Sequence, residues 1–126
     1  MNKELYELLK SIAQNKQTIT YGEAMEKIGL EDMREFEKLL EPIELHEKHE
    51  GRPMLTVIIV MKEVKPRMPG DGFFRLAKEI GNLKDGQDRW DFYIKELNKV
   101  FDFWKKQWMP KLKNYIQLKD LYKIKI

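Results

Sequence analysis

His46, His49 and Glu50 make a His-x-x-His-Glu cluster that holds both histidines of the chain. On a helix the i, i+3 spacing turns both imidazoles toward one face, where the carboxylate could complete a metal or acid–base site. The zinc motif His-Glu-x-x-His needs its second histidine one place later than His46-Glu47-Lys48-His49 provides. The plainer reading is an exposed helix end before Gly51, with the imidazoles near the C-terminal dipole. Glu63-x-Lys65 has the acid-x-lysine order of half a metal-dependent nuclease site. There Glu47 or Glu50 would have to supply a second acid for the metal, and the lysine would position the attacking water. With 36 % of residues charged, such a pair also arises readily by chance. No closed ligand set emerges, so neither a metal nor another cofactor is expected.

The segment Lys65-Pro66-Arg67-Met68-Pro69-Gly70-Asp71-Gly72 runs into a predicted helix start, where backbone N–H groups can receive a phosphate. It lacks the G-x-x-x-x-G-K-[ST] order of a nucleotide-hydrolysing loop. A wing-like loop with glycines at its bends is the preferred reading, and Phe73 and Phe74 behind it read as core. Cysteine is absent, which excludes disulfides, zinc ribbons and thiol nucleophiles. Ser11 is the only serine, so serine-hydrolase chemistry is poorly supported. A non-enzymatic binding protein is the expectation.

Charge supplies the ligand class. The net of +3 conceals an acidic part, residues 1–51, with seven Lys and Arg against twelve Asp and Glu. Residues 52–126 carry seventeen against nine, and from Phe103 onward seven lysines face Asp120 alone. We therefore expect Arg52, Lys62, Lys65, Arg67, Lys105, Lys106, Lys111 and Lys113 to form one basic surface able to contact phosphates. A lysine coat that merely keeps the protein soluble is the plainer account.

The elements that position these residues follow from periodicity. Leu5, Leu8, Leu9, Ile12 and Ala13 predict an amphipathic helix over residues 3–15. Thr18 to Thr20 reads as extended, and Thr20-x-x-Glu23 as a capping box opening a helix that Gly29 closes. A longer helix from Glu31 sets Met33, Phe36, Leu40 and Ile43 on one face and is interrupted by Pro42. The β-branched run Leu55–Met61 predicts a strand covered on both faces, with Val57 to Val60 buried. Residues 122–126 alternate as a further strand would. Phe73, Leu76, Ala77 and Ile80 mark another helix. After a turn-rich break, Asp88 is placed to cap a long helix whose stripe runs Trp90, Tyr93, Ile94, Leu97, Phe101, Trp104, Trp108. Phe92, Val100 and Phe103 give that helix a second apolar face.

One α+β domain over residues 1–126 is the expected organisation. It comprises an acidic helical part (1–51), a strand with a basic loop (52–72) and an aromatic, lysine-rich helical part (73–126). The longest apolar run, Met54–Met61, is far shorter than a ~20-residue membrane span, and no signal-peptide layout is present. A cytoplasmic protein without a membrane partner is expected.

The order helix, short strand, capped helix, helix, long strand resembles a winged helix–turn–helix. Thr20-Tyr21-Gly22-Glu23 is similar to the start of that part in DNA alkyltransferase-like domains, over residues 18–72. The reactive Pro-Cys-His-Arg of that family is replaced by Pro53-Met54-Leu55-Thr56, which excludes alkyl transfer. The chain also resembles a group of small bacterial and phage proteins of unassigned function over about residues 19–104. It does so in Tyr21-Gly22-Glu23, Gly51-Arg52-Pro53-Met54-Leu55 and Pro69-Gly70-x-Gly72-Phe73-Phe74.

In a helix–turn–helix the second helix meets phosphates, yet residues 31–50 hold eight acids against Arg34, Lys38 and Lys48. Nucleic acid, bound with little sequence preference, is thus expected at the loop and the C-terminal lysines. Docking of another protein on the acidic and basic faces is the alternative, as in phage, defence-associated, immunity or adaptor proteins.

Overall fold

The computed structural model describes residues 1–105. Helix α1, Lys3–Gln14, buries Leu5, Leu9 and Ala13 of the predicted stripe, with Leu8 and Ile12 partly buried, and adds Tyr6 to the core. Asn2 caps it by accepting from the Leu5 N–H at 2.9 Å. Strand β1 is only Ile19–Thr20, and α2, Tyr21–Ile28, begins immediately after it. The capping box forms as predicted. Thr20 Oγ1 accepts from the Glu23 N–H at 3.1 Å, and the Glu23 carboxylate accepts the Thr20 N–H at 3.3 Å. The expected helix from Glu31 is split at Leu39 into α3, Met33–Lys38, and α4, Leu40–His49. Pro42 falls in the first turn of α4, where its missing N–H costs no intrahelical bond.

The apolar run after Arg52 is the main correction. Leu55–Ile58 is one turn of 3-10 helix, and only Ile59–Val60 is strand, β2. The burial expected for the run does hold: every residue from Met54 to Val60 is buried. β-branched side chains favour a strand, but backbone N–H groups with side-chain acceptors need no ladder. Met54 and Thr56 have such acceptors in Glu96 and Glu44. β1 and β2 pair in parallel, Ile19 opposite Ile59 and Thr20 opposite Val60, with α2 to α4 forming the crossover. The strand expected at 122–126 lies outside the described residues.

Beyond β2, the Met61 N–H donates to the Met68 carbonyl at 2.9 Å, closing a loop where the wing was expected. Helix α5, Asp71–Glu79, buries Phe73, Phe74 and Ala77. The last described helix, α6, covers residues 89–105, and Asp88 caps it by accepting from the Asp91 N–H at 2.9 Å. Its deepest stripe is Phe92, Tyr93, Glu96, Val100 and Trp104, whereas Trp90 is 38 % exposed. The aromatic stripe read from sequence is thus rotated toward its second face, and Trp108 lies outside the described residues. The 3-10 turn sits at the centre with α1 and α4 packed on it. The result is a helix-rich α+β domain with an open two-stranded sheet. Among the described residues no helix is long and apolar enough to cross a membrane.

Candidate nucleic-acid interface

Three carboxylates lie in the interior: Glu44 and Glu47 of α4, both counted among the acids of residues 31–50, and Glu96 of α6. Two of them close the start of the 3-10 turn. Glu44 Oε1 accepts the Thr56 N–H at 2.8 Å, and Glu96 Oε2 accepts the Met54 N–H at 2.9 Å. Burial pushes the Glu44 carboxyl up to about 8, aided by the neighbouring Glu47 and Glu96 and opposed by its bonds to Thr56. Of the eight acids in residues 31–50, Glu31, Asp32, Glu35, Glu37, Glu41 and Glu50 remain exposed. That surface is less acidic than the sequence count suggests.

Glu47 holds Arg52. The guanidinium Nε lies 2.7 Å from Glu47 Oε2, and Nη2 donates to the Tyr6 hydroxyl at 3.2 Å. The same Nη2 is 3.1 Å from His46 Nε2; a guanidinium can only donate, so the imidazole nitrogen accepts. Burial raises the Tyr6 phenol, and Glu47 beside it adds to the rise. Arg52 is therefore a half-buried cation engaged by Glu47, Tyr6 and His46, not a free member of a basic surface. The His46, His49, Glu50 cluster does not assemble either. His46 turns toward Tyr6 and Arg52, its ring edge-on to Tyr6 at 5.5 Å, while His49 and Glu50 face solvent. Among the described residues no three His, Cys, Asp or Glu side chains are placed to hold a metal ion.

Lys62, Glu63, Lys65 and Arg67 all lie exposed on the 61–70 loop, and Arg67 acts on Glu23 at the start of α2. The phosphate reading of this loop meets two groups already in place. Gly70 donates its N–H to the Tyr21 hydroxyl at 3.1 Å, and Asp71 puts a carboxylate, paired to Arg89 at 2.7 Å, in the first turn of α5. Tyr21 and Gly70 come from two of the motifs singled out in the sequence, so that contact explains both residues structurally.

Four lysines converge elsewhere among the described residues. Lys95, Asn98, Lys99, Phe101, Asp102 and Lys105 of α6, with Lys16 beyond the end of α1, line an open groove of about 590 Å³. Lys16, Lys95, Lys99 and Lys105 are exposed, and Phe101 is half-buried. Positions 95, 99 and 102 recur at about one and two helical turns, so they share one side of α6. Of the predicted basic residues that are described, only Lys105 belongs to this groove. Lys106, Lys111 and Lys113 lie outside the described residues.

The sequence reading missed Lys16, Lys95, Lys99 and Phe101. The i, i+4 pair Lys95 and Lys99 on the polar side of a predicted helix could have revealed half of the groove. Nothing local placed Lys16 opposite them. Compared with known proteins, the chain matches no family model, no curated sequence and no solved structure.

Proposed function

We propose that this protein is a non-enzymatic nucleic-acid-binding domain that engages phosphates through a basic surface, with little preference for base sequence. The observation that carries this reading is the groove of Lys16, Lys95, Lys99 and Lys105, four lysines with Asp102 as the acid in the lining and Lys99 also 3.7 Å from Glu96 Oε1. Each lysine that neutralises a phosphate releases condensed counterions, so binding driven this way weakens steeply with salt. Sequence preference is weak because the groove offers lysines, which act as point charges, and no bidentate arginine to read base edges.

Fluorescence anisotropy of labelled DNA at low and near-physiological salt tests the reading. Replacing Lys95, Lys99 and Lys105 together by Gln is expected to lower affinity at least tenfold at low salt and to flatten the salt dependence by about 0.9 log unit per lost duplex contact. No binding of any nucleic acid at low salt, or binding indifferent to the triple change, overturns it.

One observation favours the second reading, a basic protein partner. An acid-rimmed pocket of about 490 Å³ is lined by Met33, Leu40 and Phe73 and bordered by Glu37, Glu41 and Glu79, with Arg75 the cation in its lining. Met33, 42 % exposed, puts an apolar side chain at that rim.

A further inference from the structure

Four helices of this chain end in the same hydrogen-bonded turn. In each, an N–H just beyond the helix reaches back five residues: Gln17 to Ile12, Leu30 to Met25, Arg52 to Glu47 and Asn82 to Ala77. This closure requires the residue before that donor to adopt a left-handed backbone, the conformation glycine takes without steric cost. Gly29, Gly51 and Gly81 fill the position in α2, α4 and α5, at φ 75°, 71° and 83°. After α1 it is Lys16, at φ 54°, the only non-glycine with positive φ among the described residues. A Cβ in that conformation crowds the neighbouring carbonyl, so Lys16 is less stable there than glycine would be. Its side chain lies exposed on the groove with Lys95, Lys99 and Lys105. The ammonium does gain from the carbonyl end of α1, but α2, α4 and α5 offer the same gain and use glycine.

Phe101 is the second feature that a lysine coat does not require. It lines the same groove as the four lysines, partly exposed there while packed against the core. Lysines flanking an aromatic ring are the arrangement that binds single strands. Phosphates follow the cations, and an unpaired base stacks on the ring whatever its identity. Bases inside a duplex are already stacked and leave the ring nothing to receive. From Lys95 to Lys105 the groove runs about 15 Å along α6, room for a few nucleotides.

Building on the phosphate-binding reading above, we propose that the groove is a single-strand site, with Phe101 as the stacking platform and Lys16 held in a strained conformation to complete the phosphate track. The test uses the full chain with a labelled oligothymidylate strand and a duplex of equal length, together with the variants Phe101→Leu and Lys16→Gly. The wild type is expected to bind the strand at least tenfold more tightly than the duplex. Phe101→Leu keeps an apolar side chain on the core and should weaken the strand about tenfold while leaving the duplex unchanged. Lys16→Gly is expected to melt roughly 4 °C higher yet bind the strand several-fold more weakly, with the salt slope reduced by about 0.7. Its gain in melting temperature separates lost binding from lost folding. Equal or tighter duplex binding, strand binding unaffected by Phe101→Leu, or strand binding unaffected by Lys16→Gly overturns the single-strand site while leaving a basic surface intact. No binding of either probe at low salt overturns the phosphate reading itself.

Discussion

Glu44 shows how much a single side chain can hide from a sequence reading. Its position in a glutamate-rich helix suggests a solvated face, yet it is fully buried, with Oε1 on the Thr56 N–H and Oε2 without a partner among the described residues. The titratable groups acting on it are Glu47 on its own helix and Glu96 from α6. An unfolded glutamate ionises near pH ~4.3. The folded one holds its proton to about 8. Between those values the folded chain binds more protons than the unfolded one, so stability from this group is full below the lower value and lost as pH rises through the upper. Glu44→Gln keeps an oxygen for Thr56 and cannot ionise. It should therefore flatten a decline of at most ~1.4 kcal/mol per pH unit, read by urea denaturation between pH about 5 and about 8.5. A variant with the wild-type slope would assign the decline to another group. Arg52 makes the same point from the basic side. Its neighbours in sequence give no sign that Glu47, Tyr6 and His46 enclose it, because Tyr6 comes from a helix 46 residues away.

At the scale of elements, what local chemistry specifies was legible and what long-range contacts specify was not. The α1 stripe, the Thr20 capping box, the Gly29 stop and the Asp88 cap all depend on residues within a few positions of one another, and all formed as read. Leu55–Ile58 did not, because its backbone conformation is decided by acceptors in α4 and α6. The rotation of α6 has the same origin. Glu96 must face inward to reach Met54, which carries Val100 and Trp104 into the core and leaves Trp90 at the surface. Removing that acceptor tests the argument. Glu96→Ala strands a buried N–H and should cost about 1–3 kcal/mol in denaturant unfolding, whereas Glu96→Gln retains an oxygen at the same place and should lose much less. Equal losses for the two would mean that the carboxylate matters for something other than the turn.

The charge asymmetry of the whole molecule was visible in the sequence, but its distribution over the surface was not. Folding takes Glu44 and Glu47 out of the acidic half and Arg52 out of the basic part, and it adds Lys16, from the acidic half, to the α6 lysines. What remains outside is an exposed acidic set on α3 and α4, with Glu35, Glu37 and Glu41 among its members, and a separate lysine groove. The groove lysines act on a bound phosphate at contact distance, whereas acids outside the groove act on it only through solvent. The two effects therefore differ in reach. Contact pairs keep part of their strength in salt, but a through-solvent repulsion is screened over ~30 Å at 10 mM and ~8 Å at 150 mM ionic strength. Changing Glu35, Glu37 and Glu41 to Gln together should accordingly tighten nucleic-acid binding several-fold at about 10 mM salt and by less than twofold at about 150 mM. The groove changes should lower affinity at both. Anisotropy titrations of the two variants across that range read the difference. If the acidic variant instead abolished capture of a basic protein and left nucleic-acid affinity unmoved at every salt concentration, the acid-rimmed pocket beside Met33, and not the lysine groove, would be the working surface of the molecule.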